Sequence, residues 1–173
     1  AFGSDSITSP VTVLGTLGTC NSGSMIGCFN PAFNPYISKV KIGAYENSSM
    51  CSESSNFSNQ LINVHADSNY VIEIISEITG VAPDTLNYLM KVGVWIDWNN
   101  DGDFLDANET IGTALVAFSG GNVIQNFTIN VPAGQPIGNY RMRIVQTEGG
   151  TLGTINPCGT FTYGSTEDYT VQV

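Results

Sequence analysis

The chain has 173 residues, with 15 acidic against 5 basic side chains and a formal net charge of −10. Such a surface repels nucleic acid and anionic membranes, so neither is expected as a partner. No apolar stretch approaches the roughly 20 residues of a membrane-spanning helix, so membrane insertion is not expected. Only 12% of residues are charged while Ser, Thr, Asn and Gly abound, which suits a secreted β protein with polar loops better than a cytosolic enzyme.

Residues 1–35 form a loop-rich N-terminal segment with one short strand expected at 11–17, and 36–173 form the core of a single domain. Four cysteines, Cys20, Cys28, Cys51 and Cys158, make an even count without a C-x-x-C pair. They predict two disulfides in an oxidising, extracellular compartment. Three pairings are possible; a Cys20–Cys28 bridge would staple the N-terminal segment. No charged and then apolar leader begins at Ala1, as expected of a chain whose signal peptide has been removed.

Residues 36–45 are the first clear strand, with Val40, Ile42 and Ala44 on one face. A polar loop is expected over 47–59. Strands at 60–66 and 69–78 follow, joined by a tight Asp67-Ser68 turn. A loop at 80–87 leads to a strand at 88–98 that is apolar on both faces, as a central strand of a sandwich should be. Further strands read at 110–118, at 123–131 after a Gly120-Gly121 turn, and at 139–146. Residues 147–165 read as a glycine-rich loop, and Tyr169, Val171 and Val173 mark the last strand. Eight or nine short strands without helical periodicity predict an all-β, antiparallel β-sandwich of jelly-roll or immunoglobulin-like form.

The densest chemistry lies where the strand at 88–98 ends. Asp97, Asn99 and Asp101 recur at alternate positions and Gly102 follows, as in the first half of an EF-hand-type calcium loop. Asp103 stands where such loops offer a backbone carbonyl, and Phe104 where they carry an apolar anchor. A strand enters where an EF-hand has a helix, so the whole EF-hand domain is not predicted. Loop position 12, usually a bidentate Glu, is Asn108, and Glu109 comes one residue late. Either the loop is one residue longer, or a carboxylate from elsewhere closes the shell. The same letters also write a solvated acidic turn, but oxygen ligands packed this tightly repel one another without a cation. Many flexible oxygen donors favour Ca2+ over magnesium, and the absence of nearby His or Cys disfavours zinc.

Three stretches together resemble the GEVED domain of secreted bacterial proteins: Val94-Trp95-Ile96-Asp97-Trp98-Asn99-Asn100-Asp101-Gly102-Asp103-Phe104; Val131-Pro132 with Gly138-Asn139-Tyr140-Arg141-Met142-Arg143; and Pro157-Cys158 with Gly164-Ser165-Thr166-Glu167-Asp168-Tyr169. In the last of these, Ser165-Thr166 replaces the Glu-Val of the family's naming motif. The resemblance implies a calcium-binding β-sandwich that accompanies catalytic or surface-displayed modules and has no catalysis of its own. Glu167 or Asp168 could supply the missing loop carboxylate, or pair instead with Arg141 or Arg143.

His65 is the only histidine and lies within a strand, and no G-x-S-x-G elbow exists, so no Ser-His-Asp triad is expected. An enzyme is not predicted. The reading is a non-catalytic calcium-binding module with an extracellular glycan as the leading ligand. A cell-surface or protein partner (adhesion or self-assembly) and a structural spacer attached to secreted enzymes are the alternatives. For a glycan, the candidate aromatics are Trp98, Tyr36, Tyr45 and Tyr163.

Overall fold

The computed structural model describes residues 20–26, 28, 34–79, 88–118, 122–149 and 154–173. The strand expected at 11–17, the loop at 80–87 and the Gly120-Gly121 turn fall outside them. Among the described residues there are eleven strands, in three sheets. Alternating apolar residues explain most of them, because side chains of period two turn one face of each strand to a core.

The strands are β1 (Ser22–Ser24), β2 (Pro35–Ile42), β3 (Tyr45–Ser48), β4 (Ser54–Asn63), β5 (Asn69–Ile78) and β6 (Tyr88–Asp97). They continue with β7 (Thr110–Phe118), β8 (Val123–Asn130), β9 (Asn139–Glu148), β10 (Gly159–Phe161) and β11 (Gly164–Gln172). A five-stranded sheet runs β4-β11-β9-β6-β7, a four-stranded sheet runs β3-β2-β5-β8, and β1 pairs with β10. The structure departs from the sequence expectation in four places, the first being β1, which forms within the N-terminal segment expected to be loop beyond residue 17. The strand at 36–45 breaks at Gly43, which has a left-handed backbone (φ 57°), and the chain returns as β3. Much of the loop expected over 47–59 belongs to β4. The glycine-rich stretch 147–165 contains β10 and the start of β11.

Most pairs are antiparallel, as expected of the sandwich, but β11 pairs with β4 in parallel, and so does β1 with β10. β4 is polar along most of its length and sits at a sheet edge. An edge strand lacks a second neighbour, so this one borders the sheet without a continuous apolar run.

One apolar layer fills the space between the two large sheets. Ile37, Val40 and Ile42 of β2, Ile72 and Ile74 of β5 and Ile129 of β8 come from one side. Val92, Val94 and Ile96 of β6, Met142 and Ile144 of β9 and Val171 of β11 come from the other. Each such side chain contributes about 1.5–3 kcal/mol on full burial. A second, smaller cluster lies on the outer face of the five-stranded sheet: Trp95, Phe104 and Val145, packed against Cys20, Cys158, Ile155 and Phe161.

The disulfides join Cys20 to Cys158 and Cys28 to Cys51. A Cys20–Cys28 staple is therefore not formed. Instead Cys20–Cys158 ties the β1 region to the loop before β10, across 138 residues of sequence. No helix among the described residues is long and apolar enough to cross a membrane.

Candidate metal centre

β6 delivers Asp97 to the rim of the five-stranded sheet, opposite Arg141 in register. The chain then coils through a series of short side-chain-to-backbone bonds. Asn99 Oδ1 accepts the Asp101 N–H (2.9 Å), Asp101 Oδ1 the Asp103 N–H (3.1 Å), and Asp103 Oδ1 the Leu105 N–H (2.8 Å). Asn and Asp favour such i to i+2 bonds because their short side chains mimic a backbone turn. Gly102 adopts φ 96°, a conformation open to glycine at little cost, and its N–H reaches back to Asp97 Oδ2 (3.1 Å).

Glu109 closes the loop. Its carboxylate accepts the Trp98 N–H (3.0 Å) and the Asp106 N–H (3.2 Å), and its carbonyl accepts the Ile96 N–H (2.9 Å). Of the two expected ways to complete the shell, a loop one residue longer or a carboxylate from elsewhere, the hydrogen bonds of Glu109 are those of the longer loop. Closure one residue late leaves Asn108 in a left-handed conformation (φ 72°), which Asn tolerates better than most residues.

Carboxyl oxygens of Asp101, Asp103 and Asp106 all lie within 4.8 Å of one another, close enough to hold a metal ion. The Asn99 amide nitrogen stands between two of these carboxylates, 3.0 Å from Asp101 Oδ2 and 2.6 Å from Asp106 Oδ2. The positive end of the amide dipole thus takes the position a cation would favour, and a half-turn of the amide would offer its oxygen instead. Asp97 is fully buried and its Oδ1 has no hydrogen-bond partner. Burial pushes the Asp97 carboxyl up from its ordinary range, with a contribution from the Asp101 charge. Burial also raises Glu109, and the Asp97 charge adds to it. A buried carboxylate beside further carboxylates calls for positive charge. An all-oxygen donor set fits a hard divalent cation.

Asp106 was not singled out from sequence. Its signal was present, an acidic residue three positions after Asp103 in a loop without basic residues, but the twelve-residue template assigns that position no carboxylate.

Behind the loop, Asp168 receives two parallel hydrogen bonds from Arg143, Nε to Oδ1 at 2.7 Å and Nη2 to Oδ2 at 2.8 Å, and a third from Arg141 Nη2 at 2.5 Å. Burial works to raise the Asp168 carboxyl, but the hydrogen bonds and charges of Arg143 and Arg141 outweigh it and hold it below the usual range. The two guanidinium groups lie over the ring of Phe104, at 5.4 Å for Arg143 and 5.8 Å for Arg141. Arg143 Nη1 also donates to the carbonyls of Cys20 (2.8 Å) and Pro157 (3.0 Å), on either side of the Cys20–Cys158 bridge. Loop anchor, arginine pair, carboxylate and disulfide form one contiguous support. Of the two partnerships open to Asp168, the arginines hold it.

Glu167 is not brought to the loop. It pairs in register with Ile144, whereas Asp97 lies opposite Arg141, three residues or ~10 Å along β9. Its side chain also turns to the opposite face, into the core, where the carboxylate accepts hydrogen bonds from Ser49 and from the Tyr169 hydroxyl (2.6 Å). Burial pushes this carboxyl up to about 7.

The four aromatics occupy different settings. Trp98 is buried in the main core, its ring tilted against Tyr140 at 5.4 Å. Strand alternation continues past Asp97, so Trp98 turns to the same side as Ile96 instead of outward. Tyr45 packs edge-on to Tyr169 and donates to Gln60 Oε1 (2.8 Å), while Tyr36 donates to Glu77 Oε2 (2.6 Å) on the outer side of β2. Tyr163, half-buried, lies just before β11, and its carbonyl accepts hydrogen bonds from Thr147 Oγ1 and the Glu148 N–H.

Fold and site together define a disulfide-bonded β-sandwich domain with an acidic, metal-competent loop at one sheet rim. The GEVED domain family model matches residues 91–172, the span from β6 through the loop to β11. Over those residues the chain is similar to the GEVED domain family. Among solved structures, the chain is similar to a CARDB domain from Pyrococcus furiosus, determined in complex with di-metal ions. The two are 15% identical over 86% of this chain and 94% of that one, with a TM-score of 0.37. It is also similar to a family 123 glycoside hydrolase from Clostridium perfringens, at 13% identity and a TM-score of 0.37 over 69% of this chain. The match spans 23% of that enzyme's length. No curated protein matches the chain.

Proposed function

We propose that the chain is a non-catalytic, calcium-stabilised module of a secreted protein, in which the loop from Asp97 to Glu109 holds one Ca2+. Asp97, Asn99, Asp101, Asp103 and Asp106 would supply its oxygens, and Glu109, through its two N–H contacts, would hold the loop closed around it. The observation that carries this reading is the buried, unpartnered Oδ1 of Asp97 at the head of a loop whose other carboxylates converge. Bound calcium would neutralise part of the charge and rigidify the rim, so binding free energy would be folding free energy. An extracellular polysaccharide is the finer part of the proposal, resting on the exported, disulfide-bonded character of the chain and not on an aromatic platform.

Thermal unfolding in calcium and then in excess chelator tests the cation. A melting temperature lowered by several degrees on chelation and restored by calcium is expected; an identical curve in both conditions would reduce the loop to an acidic turn. A glycan array probed with the calcium-loaded protein tests the ligand class.

A further inference from the structure

Next to the metal loop, where the edge strands β7 and β8 bring the two sheets together, a groove of about 430 Å3 opens at the rim. The sheets close tightly here because Gly112 of β7 carries no side chain; a Cβ at that position would collide with the Phe127 ring of β8. Ile111, Val131 and Pro132 supply apolar lining. The polar lining consists of Asn69, Asn108, Asn130, Thr110 and Thr128, with the carboxylate of Asp67. All six polar residues are exposed. Among the described residues, none of their side chains hydrogen-bonds within the protein.

The walls are held from behind. The Asp67 N–H donates to the Pro132 carbonyl and the Val131 N–H to the Ser68 carbonyl, which clamps the β4–β5 turn to the end of β8. Asn69 and Asn130 are cross-strand partners, so their side chains stand side by side at about 5 Å. Asn108 occupies the position where an EF-hand loop has its closing Glu. Glu109 closes this loop instead, leaving Asn108 to line the groove.

We propose that this groove binds a short, neutral oligosaccharide, with Asn69, Asn130 and Thr128 hydrogen-bonding its hydroxyls. The assignment rests on the glycan part of the proposed function and gives it a location. Each amide offers both donor and acceptor and can engage two adjacent hydroxyls, as a polyhydroxylated ligand requires. The apolar lining receives the C–H face of a sugar ring. A lining with one carboxylate and no cation, on a protein of net charge −10, rejects uronic acids and sulfated chains. The volume falls within the range of about 300–1,000 Å3 typical of small-ligand sites.

The test uses the calcium-loaded chain and the double variant Asn69→Ala/Asn130→Ala. Both are screened on an array of neutral and acidic oligosaccharides, then titrated calorimetrically with the neutral oligosaccharide retained best. Expected are retention of a neutral glycan by the parent chain, about tenfold or greater weakening in the double variant, and the same calcium-dependent melting shift in both. Unchanged affinity in the double variant would overturn the groove while leaving a glycan-binding module in place. Retention of no neutral oligosaccharide, with the calcium shift intact, would overturn both the groove and the glycan class but not the cation site.

Discussion

Asp168 and Arg143 meet side-on, through two parallel hydrogen bonds of 2.7 and 2.8 Å, on the outer face of the five-stranded sheet. The pair lies directly behind the acidic loop, because Arg143 also lies over Phe104, the loop's apolar anchor. In the motif that resembles the family's naming sequence, the aspartate thus braces the loop without joining it.

Replacing Asp168 by Asn leaves two largely buried guanidinium groups without a counter-charge. Breaking a buried ion pair from one side costs about 3–5 kcal/mol, and partial exposure of Asp168 puts the expected loss near the lower end. Urea unfolding measures it. Terbium titration, with the ion sensitised by Trp98 of the loop and the neighbouring Trp95 of β6, should also show weaker binding through the loosened Phe104. Unaltered terbium affinity would break the proposed link between brace and loop.

Asp106 provides a separate check on the ligand set. Asp106→Asn should lower terbium and calcium affinity about tenfold or more by removing one anionic oxygen. Leu105→Ala, at an exposed neighbour, should leave both unchanged. Equal affinities for the Asp106 variant and the parent would remove Asp106 from the set.

Glu167 makes stability depend on pH. Its folded carboxyl is raised to about 7 by burial, above an ordinary value of 4.5, so the folded state favours the protonated form. The stability it contributes is full below about pH 4.5 and is lost as pH rises through about 7. Glu167→Gln removes this dependence, and at pH 8 should be more stable than the parent by up to ~3 kcal/mol, set by the size of the shift. The advantage should shrink steadily toward pH 5. Melting curves of both proteins at half-unit pH intervals decide the matter; parallel profiles would mean that Glu167 does not titrate in this window.

The disulfide pairing is open to direct reading. Proteolysis without reduction, followed by mass spectrometry, should yield peptides linked Cys20 to Cys158 and Cys28 to Cys51; a Cys20–Cys28 peptide would refute the arrangement. Replacing both Cys20 and Cys158 by Ser should cost about 2–5 kcal/mol, since their bridge closes a very long loop.

The acidic loop was legible from sequence because its signal is local. Alternate oxygen-bearing residues followed by Gly102 describe a coil of backbone whose geometry depends on immediate neighbours. The period-two pattern of β5 to β9 was legible for the same reason, and it fixes which residues of a strand share a face. Pattern alone does not say which face meets a core. Glu167 and Asp168 had to lie on opposite sides of β11, but only the packed sheets decided that Glu167 enters the core with Ser49 and Tyr169 while Asp168 meets the arginines. Trp98, a candidate glycan contact by its place at the start of the loop, is carried inward beside Tyr140 by continued strand alternation. The parallel pairing of β4 with β11 and the Cys20–Cys158 bridge join segments more than 100 residues apart, and the groove between β7 and β8 needs two sheets to exist at all. Spacing along the chain pointed to Asp97, Asn99 and Asp101 but not to Asp106; the long-range closure of one sheet on another decided where Glu167 and Asp168 lie, because burial and pairing are properties of the folded surface and not of the strand.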